Sequence, residues 1–210
     1  MKDNFWDELM GNDEDAGMYM HSYGEGVGSE TRHTVGSFIN NGETVLDVGC
    51  GPGWNYEHFQ KFGPLVLQYK GVDYSQRFVR ACSQKYPGVE FELQDCRDLK
   101  ERDESWDVLI LQDVLEHTNG YKKPMEEALR VARERVIVVF WKPFRDDSDT
   151  DEPNDQINDD GNDGYGSNYE RGAWERYLDS LGYHWMETES TEKANRPHVF
   201  YIIDKKEKHG

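Results

Sequence analysis

Cysteine, positive charge and long apolar runs are all scarce in this chain, and each shortage closes off a class of protein. Cys50, Cys82 and Cys96 are the whole thiol complement. Their odd number and the lack of Cys-x-x-Cys spacing exclude a disulfide framework and a cysteine-based zinc site. No apolar stretch approaches the ~20 residues that span a bilayer. The first residues, MKDNFWDELMGNDEDAG, are acidic and have neither the basic start nor the apolar middle of a secretory signal, so a cytoplasmic location is the default expectation. Lys and Arg number 24 against 42 acids, for a net charge of -18. Affinity for nucleic acid rests largely on Lys and Arg neutralising phosphates, so this balance argues against a polyanionic partner. It also suits solubility in a salty medium.

What is present is a short-run hydrophobic rhythm. At 210 residues the chain has the length of one α/β domain. VLDVG, WDVLILQ, RVIVVFW and HVFYIID read as buried strands. The pattern predicts a helix near 30–40, then strand 44–48, helix 55–62, strand 67–72 and helix 75–86. Strands 89–93 and 106–111, helix 124–133 and strand 135–140 follow, with helix 169–181 and strands 183–191 and 198–204 at the end. Alternation of strands with helices predicts a mostly parallel sheet. The short connection between the last two strands allows an antiparallel hairpin, which would bring one antiparallel strand into the sheet. Residues 1–30 read as a polar leader that folds over an active site. The stretch 145–168 breaks the rhythm as an acidic insert, with nine acids between Arg145 and Ser167, and reads as a long solvated loop. It lacks the central Gly and closing Glu of an EF-hand.

The sharpest local signal is Val45-Leu46-Asp47-Val48-Gly49-Cys50-Gly51-Pro52-Gly53, an apolar strand running into glycines at alternate positions and then a helix. Glycines there permit a tight bend and close approach of a ligand. A carboxylate at Asp47 beside the bend repels a pyrophosphate and attracts an ammonium group. Asp73, twenty residues past Gly53, ends the second strand beside Tyr74, where an acid can accept both hydroxyls of a ribose. Asp95 ends the third strand, placed to accept from an adenine amino group. Read singly, Asp73 and Asp95 are equally well explained as helix caps or turn residues; as a set behind the glycine bend they outline a nucleoside site.

In these residues the sequence resembles the class I S-adenosylmethionine-dependent methyltransferases, over about Thr44 to Phe140. The family's first motif corresponds to Asp47, Gly49, Gly51 and Gly53, with Cys50 inside it, and its ribose-binding acid to Asp73. Its adenine-proximal acid corresponds to Asp95, and Cys96 would offer a backbone amide. Leu111-Gln112-Asp113-Val114-Leu115-Glu116-His117 is similar to its fourth-strand motif. The resemblance implies a Rossmann-like three-layer α/β sandwich with a mostly parallel seven-stranded sheet and a C-terminal antiparallel strand. It implies S-adenosylmethionine as cofactor and methyl transfer to O or N of a small-molecule acceptor. Gln112 and Tyr23 are further candidate cofactor contacts.

Asp113 and His117 are the candidate catalytic residues. The methyl group of a sulfonium is already activated, so a base for the acceptor's proton is the main chemical need, and histidine titrates near neutrality. His117 serves equally well as a turn cap. Asp113, Glu116 and His117 together resemble the metal-binding segment of two methyltransferase groups. The first acid here is the shorter Asp and no second His follows nearby, so no metal is expected. Two other functions remain open from sequence: a nucleic-acid (RNA 2′-O) methyltransferase, and a cofactor-binding regulator without catalysis. Neither an Asn/Asp-Pro-Pro-Tyr segment nor a Pro-Cys pair is present, which removes the signals of amino-directed and cytosine-carbon DNA enzymes.

Overall fold

The protein is described by a computed structural model over residues 29–141, 144, 167, 169–190 and 198–208. The leader, including Tyr23, and nearly all of the acidic insert lie outside the described residues. Helix α1 (Ser29–Ser37) leads into strand β1 (Thr44–Val48). Then come α2 (Trp54–Phe62), β2 (Gln68–Asp73), α3 (Gln76–Lys85), β3 (Glu90–Leu93) and β4 (Trp106–Gln112). A 3-10 turn (Leu115–His117), α4 (Lys122–Val131) and β5 (Ala132–Phe140) follow. The chain closes with α5 (Arg171–Leu181), β6 (Tyr183–Glu189) and β7 (Val199–Lys208).

The strands form one sheet in the order β3-β2-β1-β4-β5-β7-β6. β1 to β5 pair in parallel, and β7 runs antiparallel to both β5 and β6. The sheet is the one expected, including its antiparallel strand near the C-terminus. The order reverses beside β1, and α/β sheets bind ligands outside the carboxyl ends of the strands at such a switch point.

Alternation along the strands divides the core in two. Leu46 and Val48 of β1 and Leu109 and Leu111 of β4 face Met125 of α4 and Trp174 and Leu178 of α5. Val45, Val108 and Ile110 face the opposite way, against Val35 of α1 and Phe59 of α2. Three layers result, with helices on both faces of a sheet whose central strands are buried on both sides.

One boundary difference lies at 132–135. The charged run Arg133-Glu134-Arg135 resembles the polar end of a helix, yet it begins β5. These side chains pair across neighbouring segments, Arg133 with Asp107, Arg135 with Glu43, and Glu134 with Lys206, so extended backbone costs them nothing in solvation. A second polar feature is Lys70 in β2, almost fully buried, whose ammonium lies 2.8 Å from each of Glu90, Glu92 and Glu101. The lysine holds the carboxyls of Glu92 and Glu101 below their ordinary range and knits β2 to β3.

Candidate active site at the carboxyl edge

The bend after β1 is a stack of left-handed glycines. Gly49, Gly51 and Gly53 have φ of 73°, 50° and 76°, values that side-chain-bearing residues adopt only under strain. Their surroundings differ. A Cβ on Gly49 would stand 2.4 Å from Cγ2 of Val114, in the segment following β4. One on Gly51 would meet nothing within 4 Å among the described residues. Gly49 is therefore required by packing, while Gly51 borders open space at the ligand edge.

The amides of this bend are already committed. Gly49 N–H and Cys50 N–H both donate to the carbonyl of Val72, at 2.8 and 3.0 Å, and Gly53 N–H donates to Cys50 O at 3.0 Å. Gly51 N–H donates to Asp73 Oδ2 at 2.8 Å, and Pro52 has no N–H to give. A phosphate-binding loop needs the opposite arrangement, with several N–H groups pointing outward at the anion. Residues 49–53 offer no such set.

Asp73 is the keystone of the bend. Its Oδ1 accepts from Ser75 N–H at 2.8 Å, Ser75 Oγ in turn accepts from Phe78 N–H to cap α3, and its Oδ2 holds Gly51. The residue thus does what a turn and cap residue does. A carboxylate oxygen can accept more than one hydrogen bond.

Asp47 lies behind the bend. It is 1 % exposed, with Oδ2 accepting from Tyr69 O–H at 2.5 Å and Asn55 Nδ2 at 3.3 Å. Burial pushes its carboxyl up to about 6, against the lowering effect of the Tyr69 and Asn55 hydrogen bonds, with Asp73 adding repulsion. A folded-state value raised in this way favours the folded protein below the ordinary aspartate range and loses that contribution as pH rises through about 6. Asp47→Asn is therefore expected to stabilise the ligand-free protein at pH 8, by on the order of 2–3 kcal/mol, with the gain gone by pH 4. Thermal unfolding across that pH range measures it. Equal stabilisation at both pH values would show that the ionised carboxylate carries no burial cost.

The other candidates spread along the same edge. Asp95 closes on Arg97, whose Nε and Nη2 reach both carboxylate oxygens between 2.6 and 3.1 Å, and the pair holds the Asp95 carboxyl below its ordinary range against burial. Cys96 is packed against the core, and burial pushes its thiol up to about 12, so its side chain is an inert thiol. Gln112, at the end of β4, donates to Asp113 Oδ2 at 3.3 Å, while its Oε1 is buried with no hydrogen-bond donor. An orphaned acceptor beside the bend matches a ligand bearing N–H or O–H groups.

Asp113 itself has φ 57°, in the left-handed region, with its N–H tied to Val139 O at 3.0 Å. The His117 ring stacks on Trp141, with centroids 6.5 Å apart. Glu116 is buried and its Oε1 accepts from Trp141 N–H at 2.8 Å, tying the 3-10 turn to the end of β5. Among the described residues no three His, Cys, Asp or Glu side chains converge to hold a metal ion.

Sequence reasoning missed three contributors. Tyr69 and Asn55, which hold Asp47, carry no motif and are revealed only by the packing of β2 and α2 against β1. His198 stands next to β7, with Nε2 3.7 Å from Asp113 Oδ1 and Nδ1 3.2 Å from Thr31 Oγ1. A signal for it existed, because an antiparallel strand at this end of the chain must begin at the ligand edge.

Residues 46–140 match a family model described as a methyltransferase domain. Norajmaline N-methyltransferase of Rauvolfia serpentina is 32% identical over 105 residues, covering 47% of this chain and 35% of that protein. An uncharacterized 37.1 kDa protein of transposon TN4556 in Streptomyces fradiae is 33% identical over 119 residues, covering 55% of this chain and 34% of that one. The chain thus spans about a third of the length of these curated relatives. Magnesium protoporphyrin IX methyltransferase from Synechocystis PCC 6803, solved with bound S-adenosylmethionine, shares the fold with a TM-score of 0.66 at 18% identity, covering 97% of each chain. The glycine bend, Asp73, Asp95 and the end of β4 all lie within the segment that matches the methyltransferase-domain model. No helix among the described residues is long and apolar enough to cross a membrane.

Proposed function

We propose that the protein binds S-adenosylmethionine at the carboxyl edge of the sheet and transfers its methyl group to oxygen or nitrogen of a small-molecule acceptor. The observation that carries this reading is the internal commitment of the amides at 49, 50, 51 and 53. A bend without outward N–H groups, bordered by open space at Gly51 and by an orphaned carbonyl at Gln112, suits a cation-bearing nucleoside better than a pyrophosphate.

In this reading the backbone of Gly49, Cys50 and Gly51 lines the methionyl end, with Asp47 supplying negative charge from behind and Gln112 Oε1 accepting from an ammonium. Asp73 accepts the ribose hydroxyls, with Tyr74 beside it. Asp95 and the Cys96 amide border the adenine. The bound cofactor supplies a methyl group already activated on a sulfonium. What the chain must add is alignment and removal of a proton from the acceptor. Asp113 and His117, past the end of β4, are the groups on the acceptor side. The small-molecule assignment is supported by the net charge of -18, which disfavours nucleic acid, and by the N-methyltransferase among the relatives.

Incubation with S-adenosylmethionine and a panel of phenols, catechols and amines, with S-adenosylhomocysteine read by mass spectrometry, tests transfer directly. If His117 takes the acceptor's proton, His117→Ala slows turnover on the order of 100-fold with cofactor affinity intact; if Asp113 takes it, the variant keeps most of its rate. Full activity in that variant would assign His117 to packing against Trp141. Methylation of RNA in place of every small acceptor would move the protein to another substrate class.

A further inference from the structure

His198 carries no role in the motif-based reading, yet three elements converge on it. Its backbone is fixed on both sides by Ser190 at the end of β6: Ser190 N–H donates to His198 O at 2.9 Å, and His198 N–H donates to Ser190 Oγ at 3.1 Å. One ring nitrogen, Nδ1, meets Thr31 Oγ1 of α1, a fully buried hydroxyl, at 3.2 Å. The other, Nε2, faces Asp113 Oδ1 at 3.7 Å. Sheet register explains the meeting. Asp113 N–H bonds Val139 of β5, and the next residue, Phe140, pairs with Val199 of β7, so His198 and Asp113 flank the end of β5 at the same level. Asp113 is held there in left-handed backbone, a conformation that persists where surrounding structure over-determines it and that clusters at functional sites.

We infer that His198 and Asp113 form the proton-accepting pair of the acceptor site, with His198 acting through Asp113 as its positioning residue; this rests on the methyl-transfer reading above. The contact of Nδ1 with Thr31 orients the ring so that Nε2 is turned toward the carboxylate. At 3.7 Å the contact has the reach of an ion pair and is too long for a hydrogen bond, so it tightens when the imidazole gains a proton. During transfer a bond forms between the acceptor oxygen or nitrogen and the methyl carbon. The carbon–sulfur bond breaks with its electron pair going to sulfur. The proton displaced from the acceptor goes to the Asp113 carboxylate and is shared with His198 Nε2, then passes to water. Sulfonium charge is lost as imidazolium charge appears beside a carboxylate, and the charge balances.

The test compares wild type, His198→Ala and His198→Gln, the last of which keeps an amide N–H near the Nε2 position and cannot take up a proton. S-adenosylhomocysteine affinity is read by calorimetry, and transfer by the phenol, catechol and amine panel. Both variants are expected to lose kcat on the order of 100-fold with S-adenosylhomocysteine affinity within about twofold of wild type. Added imidazole is expected to restore His198→Ala by about tenfold, which a merely structural defect would not allow. Full rate in His198→Gln, or no response to imidazole, overturns the pair. Wild type that binds S-adenosylhomocysteine and methylates none of the panel also counts against it. Wild type that binds no S-adenosylhomocysteine overturns the underlying methyl-transfer reading instead.

Discussion

Replacing Asp73 with alanine is expected to weaken S-adenosylmethionine binding by roughly 1–3 kcal/mol, the scale for losing a charge-assisted hydrogen bond, and to destabilise the ligand-free protein as well. The second effect comes from the structure. Asp73 Oδ2 holds Gly51 N–H and Oδ1 holds Ser75 N–H, both at 2.8 Å, so the substitution leaves two backbone donors without their acceptors. Each orphaned donor costs roughly 1–3 kcal/mol to the extent that water cannot reach it. Asp73→Asn keeps one acceptor oxygen and presents an amide N–H to the second donor, so it should fall between wild type and alanine in melting temperature. Its affinity loss should stay close to that of alanine, because the charge is gone in both. Titration calorimetry and thermal unfolding on the same two variants separate the effects. Unchanged affinity with a lowered melting temperature would confine Asp73 to the turn.

Gly49→Ala carries the other large effect. The new Cβ would stand 2.4 Å from Cγ2 of Val114, on backbone with φ 73°. Left-handed backbone costs an L-residue roughly 1–2 kcal/mol, and overpacking adds roughly 1–3 kcal/mol more. A loss of about 2–5 kcal/mol in unfolding free energy follows, with displacement of Val114 and of the bend. Because Val114 directly follows Asp113, cofactor and acceptor sides should both suffer. Adding Val114→Ala removes the clashing methyl and should recover the overpacking part only, leaving the backbone strain. A double variant no more stable than the single one would show that the close approach of these two segments is not what demands glycine. Gly51→Ala shares the backbone strain without the Val114 clash, since no described residue lies within 4 Å of its Cβ position.

The reach of the amino-acid pattern in this protein follows the range of the interactions involved. β1 was legible to the residue because Val45, Leu46 and Val48 have nowhere to go but a buried strand, and the glycines end it. Asp73 was legible because its spacing from the bend and its place at a strand end are both local facts. Arg133 was expected to end the helix and lies in β5; its charge is met by Asp107, and those of Glu134 and Arg135 by Lys206 and Glu43, partners remote in sequence. Asp47 was expected beside the bend as an open charge. Its neighbours Tyr69 and Asn55, one on the adjacent strand and one on the helix above, show a buried carboxyl raised to about 6. The place of His198 at the ligand edge could have been read from the last strand, but not its partners, since Thr31 and Asp113 come from the opposite end and the middle of the chain. Local periodicity carries the elements; pairing across the sheet decides which polar groups meet.

Everything proposed for the site depends on a glycine bend whose amides are turned inward and which therefore receives a cationic nucleoside. Calorimetric titration of the whole chain with S-adenosylhomocysteine, S-adenosylmethionine and a nicotinamide dinucleotide tests this most directly. One-to-one binding of both adenosyl ligands, with no heat from the dinucleotide, is expected. Heat from the dinucleotide alone would contradict the inward commitment of Gly49, Cys50, Gly51 and Gly53 and the methyl-transfer chemistry built on it.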